Sequence, residues 1–256
     1  MRKQTQLLGS RTRVEARYAL IPLEGIPFSR LPEWPAAEAQ VLAAPALGAE
    51  FAEYRLRLPQ GAEGNHPADG EIEHFLFVLE GSVELGLAPG GSHRLTAGGY
   101  ALVPPSMSYR VQASEDTILL VLRKRYEPLS QGGEFEPVIG NEGDVPREVY
   151  MGDEGALLQS LIPDDFAYDL AMNIFTFQVG HSLPVTETHV MEHGLYVLAG
   201  KGLYYLGDSW MEVEESDFIW MGPFCPQSYY ATGPVASRYI YYKNVNREIP
   251  LPRSDA

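Results

Sequence analysis

The sequence predicts an all-β protein built as two tandem barrels. Three observations carry that reading. One strand-and-turn unit occurs twice, the composition suits short strands joined by tight turns, and helical periodicity is weak throughout. Glu73-His74-Phe75-Leu76-Phe77-Val78-Leu79-Glu80-Gly81 aligns without a gap, at an offset of 119, with Glu192-His193-Gly194-Leu195-Tyr196-Val197-Leu198-Ala199-Gly200. Of the 256 residues 25 are Gly, 20 are Pro and 15 are Tyr. Gly and Pro punctuate turns, and Tyr fits a pleated surface.

The elements follow in order. Residues 73–80 and 192–199 read as strands, each closed by a Gly turn. Alternating segments follow at 82–87 and 201–206. Gly98-Gly99-Tyr100-Ala101-Leu102-Val103-Pro104-Pro105 matches Ser216-Asp217-Phe218-Ile219-Trp220-Met221-Gly222-Pro223, and the strand at 118–123 echoes 236–241. One short helix is expected near 155–161. Residues 126–150 are polar and rich in Gly and Pro, which reads as a linker. The expected division is a first domain over 1–130 and a second over 131–256. A small barrel lined by alternating residues has room for one ligand.

Composition bounds the function. Lys plus Arg number 19 against 34 Asp plus Glu, a net charge of −15, which argues against nucleic acid and anionic membranes as partners. Cys225 is the single cysteine, so no intramolecular disulfide forms and a reducing compartment, the cytoplasm, is expected. Cys225 itself reads as a small core residue. The first 18 residues have no apolar h-region, and no run of 18 apolar residues occurs, so neither a secretory signal nor a membrane span is expected.

The chemistry concentrates in Glu187-Thr188-His189-Val190-Met191-Glu192-His193. Positions 187, 189 and 193 share parity, so on a pleated strand their side chains meet on one face. Two imidazoles and a carboxylate on one wall can hold a divalent metal and leave positions open. At the repeat offset Glu187 falls on Ala68, His189 on Gly70, His193 on His74, and Gln227 on Ser108 or Tyr109. The first barrel is therefore expected to be empty of metal, with His74 structural.

Both halves resemble cupin domains, the jelly-roll barrels that hold a metal. Gly180, Glu187, His189, His193 and Gly200 follow the first cupin motif, with ligand types exchanged at its first and third places. Gln227, after Pro226, stands where the later motif usually has His. This Glu-x-His-x-x-x-His set with a distant Gln is similar to that of the (S)-ureidoglycine aminohydrolases of allantoin degradation. The likeness extends over Arg11-Thr12-Arg13, Leu47-Gly48-Ala49-Glu50-Phe51, Lys124-Arg125-Tyr126 and Tyr239-Ile240-Tyr241-Tyr242-Lys243-Asn244-Val245-Asn246-Arg247.

The resemblance implies Mn²⁺ on Glu187, His189, His193 and Gln227. It implies a ureide substrate held by Glu187, Tyr204, Tyr239 and Lys243, with Glu187 and Lys243 catalytic, and a homo-oligomer. The ligand chemistry itself, mixed and without thiolate, fits Mn²⁺ or Fe²⁺ better than structural zinc. Tyr239 and Lys243 share parity on the closing strand, while Tyr241 and Tyr242 compete for the phenolic role. Two other classes stay open: a non-haem iron dioxygenase, and a bicupin that binds a small molecule without catalysis.

Overall fold

The computed structural model describes residues 11–130 and 132–247. Residues 1–10, part of the N-terminus read above, lie outside them.

The first repeat supplies β1 (Arg13–Val14), β2 (Tyr18–Ile21), β3 (Ser29–Leu31), β4 (Trp34–Ala43), β5 (Phe51–Leu58) and β6 (Glu63–His66). It continues with β7 (Ile72–Glu80), β8 (Ser82–Ala88), β9 (Gly91–Thr96), β10 (Gly99–Val103), β11 (Ser108–Ala113) and β12 (Thr117–Arg125). The second repeat supplies β13 (Val138–Asn141), β14 (Glu148–Tyr150), β15 (Asp153–Ser160), β16 (Leu170–Phe177) and β17 (His193–Ala199). It ends with β18 (Lys201–Leu206), β19 (Ser209–Glu214), β20 (Phe218–Met221), β21 (Gln227–Ala231) and β22 (Ser237–Asn244).

Each barrel is a large sheet over a small one. In the first, the order β13-β10-β7-β12-β5-β4-β3 faces β6-β11-β8-β9. In the second, β1-β2-β20-β17-β22-β16-β15-β14 faces β19-β18-β21. The cupin barrel expected from sequence is thus present twice.

Two expectations change. The segment 155–161, read as a helix, lies up to Ser160 in strand β15, paired on both sides by β14 and β16. Its Ala and Leu content favours a helix locally, but the two neighbouring strands decide the backbone. The segment 126–150 is also more than a connection. It contains β13, which pairs with β10 of the first barrel, and β14, an edge strand of the second. Conversely β2, from the start of the chain, pairs with β20 of the second barrel. The first repeat gives its two leading strands, β1 and β2, to the second barrel's sheet, and the second repeat gives β13 to the first's.

Period-two alternation builds three cores. In β7, Leu76 and Val78 enter the first barrel, while Phe75 and Phe77 enter a core between the barrels. In β17 and β22, Leu195, Val197, Tyr239 and Tyr241 line the second barrel, while Tyr196, Ile240 and Tyr242 face the first. The central strands β7, β17 and β22 are therefore buried on both faces, which explains their nearly continuous apolar sequences. Among the described residues no helix is long and apolar enough to cross a membrane.

Candidate active site

The site lies inside the second barrel, where a segment crosses from the small sheet to the large one. Glu187 sits opposite Gln227 in an isolated antiparallel bridge, with backbone bonds of 2.8 and 2.9 Å. Directly opposed residues send their side chains to one face, so both enter the barrel. His193 opens β17 and lies opposite Lys243 of β22. Between these anchors, the backbone N–H of Phe224 donates to the His189 carbonyl at 2.8 Å. The expectation of one strand carrying Glu187, His189 and His193 is therefore corrected. Only His193 lies on a strand, because the crossing between sheets interrupts the pleat after Glu187. The three side chains still line one cavity.

Four groups meet at the centre. Nε2 of His189 and Nε2 of His193 are 3.2 Å apart, and the Gln227 amide is 3.1 Å from each. The Tyr242 carbonyl accepts from His193 Nδ1 at 3.1 Å, which leaves the Nε2 lone pair facing the site. Glu187 Oε2 is 3.9 Å from His189 Nε2, and the Tyr150 phenol donates to Glu187 Oε1 at 2.6 Å. Tyr204 donates to the Gln227 amide oxygen at 3.0 Å. A half-turn of that amide exchanges its ends, bringing the oxygen beside the two imidazole lone pairs while the nitrogen donates to Tyr204. Three lone-pair donors on a triangle with edges of 3.1–3.2 Å, beside a carboxylate, fit one divalent cation.

The electrostatics agree. Burial, and then neighbouring His189, push His193 down to about 3, so its imidazole is neutral at physiological pH. Burial also lowers His189 and Lys243, the latter against the pull of Glu187. Burial raises the phenols of Tyr204, Tyr239 and Tyr150, so all three are donors rather than phenolates. The cavity over the centre is about 140 Å³, room for a small molecule, and Tyr239, Tyr241 and Lys243 of β22 line it. The Lys243 ammonium has no ion pair or hydrogen bond among the described residues.

No family model matches the chain. It is 37% identical over 235 residues to the (S)-ureidoglycine aminohydrolase of Arabidopsis thaliana, covering 90% of this chain and 76% of that one. It is 34% identical over 250 residues to the (S)-ureidoglycine aminohydrolase of Escherichia coli K12, covering 96% and 95%. The chain belongs to the (S)-ureidoglycine aminohydrolase family.

Solved structures share the fold. A putative glyoxylate induced protein of Pseudomonas aeruginosa superposes with a TM-score of 0.86 at 36% identity, covering 96% of this chain and 95% of that one. A cupin 2 conserved barrel domain protein of Leptotrichia buccalis shares the fold alone, with a TM-score of 0.62 at 16% identity, covering 92% and 100%.

In this member of the family one cavity brings together all the residues singled out from sequence: Glu187, His189, His193, Gln227, Tyr204, Tyr239 and Lys243. Parity separates the competing tyrosines. Tyr241 faces the cavity, and Tyr242 points into the core between the barrels. Tyr204 and Gln227 are bonded to each other, so Tyr204 orients the amide. Cys225 is a buried core residue, as expected. Tyr150 was missed because it lies in the segment read as a linker. The available signal was Glu148-Val149-Tyr150, an alternating run before Met151 and Gly152, both of which have positive φ in the turn to β15.

The first barrel also needs correction. Tyr109 pairs with His66, as Gln227 pairs with Glu187. The structure thus puts His66, not Ala68, in the place of Glu187. The ungapped offset fails here because the second barrel spends five positions between its two bridges, Ser182 to Glu187, where the first spends three, Glu63 to His66. The first barrel keeps two imidazoles, His66 and His74, packed against Tyr109 and the fully buried Trp34.

Proposed function

We propose that this protein releases ammonia from (S)-ureidoglycine by hydrolysis, giving (S)-ureidoglycolate, with Mn²⁺ held by Glu187, His189, His193 and Gln227. One observation carries the reading: the lone-pair triangle of His189, His193 and Gln227 shares a small cavity with an ammonium, Lys243, that has no partner among the described residues. The substrate carries a carboxylate, an amino group and a ureido group on one carbon. A bound Mn²⁺ supplies a Lewis acid that polarises and orients such a substrate.

The side chains account for the remaining requirements. Lys243, opposite His193, is available to neutralise the carboxylate by a charge-assisted hydrogen bond. Tyr239 and Tyr241 offer phenols to the ureido group from the same strand. Proton transfer to the departing nitrogen needs a nearby acid or base, and Glu187 is the carboxylate in the cavity. The apolar lining from Phe175, Leu183 and Leu195 limits the water that enters. The reading includes a small-molecule ureide as partner, a cytoplasmic location and a homo-oligomer, and leaves the first barrel without metal.

The test compares the manganese-loaded protein with metal-stripped protein and resolves the product enantiomers. One ammonia and (S)-ureidoglycolate per substrate are expected. Lys243→Met is expected to lower kcat/KM about 10- to 100-fold with metal content unchanged. A racemic product at the uncatalysed rate would overturn the reading and favour dioxygenase chemistry.

A further inference from the structure

We propose that Tyr150 is a positioning residue for Glu187, fixing which carboxylate oxygen faces the metal centre; this rests on the reading of Glu187 as a ligand. The phenol donates to Oε1 at 2.6 Å, while Oε2 is the oxygen directed at His189 Nε2, 3.9 Å away. A carboxylate free to rotate presents either oxygen, or both. A carboxylate with one oxygen engaged by a neutral donor presents the other. Tyr150 thereby favours one-point attachment and leaves space in the cavity for substrate.

The surroundings hold the phenol in place. Tyr150 ends β14, an edge strand whose register slips against β15 between Val149 and Tyr150. That irregularity turns the ring inward, where it lines the cavity and meets Phe175 edge-on at 4.9 Å between centroids. Glu187 is anchored independently, through its backbone bridge to Gln227. The hydrogen bond therefore joins two separately fixed elements, as expected of a contact that sets orientation. Groups that orient metal ligands typically change metal affinity or activity 10- to 100-fold when removed.

Tyr150→Phe keeps the ring and its contact with Phe175 and removes only the hydroxyl. Metal-free protein is titrated with Mn²⁺, and the reloaded enzyme is assayed with (S)-ureidoglycine. The variant is expected to bind Mn²⁺ about tenfold more weakly and to lose about tenfold in kcat. The same change in a Glu187→Gln background is expected to alter Mn²⁺ affinity less than about twofold, because the shared partner is gone. Unchanged Mn²⁺ affinity with a raised KM would overturn the proposal and make Tyr150 a substrate contact. Equal effects in the two backgrounds would also overturn it, as would failure of the wild type to bind Mn²⁺. If the wild type binds Mn²⁺ but does not turn over ureidoglycine, the proposed function fails while the Mn²⁺ titration still decides the role of Tyr150.

Discussion

His193 is oriented before any ion arrives. Its Nδ1 is committed to the Tyr242 carbonyl, and its Nε2 faces His189 Nε2 at 3.2 Å. His74, its counterpart in the repeat, has neither arrangement: its Nε2 is buried without a partner, beside His66 and Tyr109. Two histidines alike in sequence context therefore differ in chemistry. His193→Ala is expected to abolish Mn²⁺ binding and activity, whereas His74→Ala keeps one Mn²⁺ per chain. Elemental analysis of the two purified variants decides between these outcomes, and loss of metal from the His74 variant would contradict a single working barrel.

At the scale of elements, β6 and β11 show how the first barrel became different. Their pairing sets His66 against Tyr109, with rings stacked 4.4 Å apart, and Trp34 from β4 fills the interior. A Cβ on Gly64 would stand 2.3 Å from the Trp34 ring, so that glycine makes room for the indole. Burial lowers His66 to about 4 and His74 to about 3, both below the ordinary value of 6.5. The folded state thus favours neutral imidazoles, whereas the unfolded chain binds protons below about pH 6.5. This contribution is complete above that pH and is lost as pH falls towards 4 and then 3, by at most ~1.4 kcal/mol per pH unit for each imidazole. Glu53 and Glu192, raised by burial to about 8 and about 7, contribute with the opposite sign. Comparison with a variant isolates the imidazoles. Between pH 7 and pH 5, wild-type protein is expected to lose more stability in urea unfolding than the His66→Asn, His74→Asn double variant. Equal losses would mean that both rings protonate freely in the fold.

Over the whole molecule, the barrels are joined by a shared apolar core, exchanged strands and polar ties. Lys124 of the first barrel pairs with Asp169 of the second, both buried. Glu192, next to His193, accepts from Trp220 Nε1 at 2.8 Å and from the backbone of Glu50 at 3.0 Å. The first barrel therefore supports the chain segment that carries the site. Tyr18, Ala19 and Leu20 of β2 are at most 4% exposed and cover the edge of β20, which in turn pairs with β17. Deleting residues 1–21 is expected to cost at least ~5 kcal/mol of burial, lower the melting midpoint by about 10 °C or more, and promote association through the bared edge. Calorimetry and light scattering measure both effects, and an unchanged midpoint would show that β2 is dispensable.

The repeat, the strand class and the residues Glu187, His189, His193, Gln227, Tyr204, Tyr239 and Lys243 that line one cavity were legible in the sequence. Those features are written along one dimension: the offset of 119 survives as matching residues, and period-two parity orients Tyr239 and Lys243 together on β22. Pairing between distant segments is not written there. Only the tertiary structure decided that β1 and β2 join the second barrel and β13 the first, that His66 replaces Glu187 in the first, and that Tyr150 reaches Glu187 from a stretch resembling a linker. The physical reason is that a sheet is closed by hydrogen bonds between residues far apart in the chain, so two extra residues between bridges, or a slipped register at an edge strand, change which side chains meet without changing the local pattern.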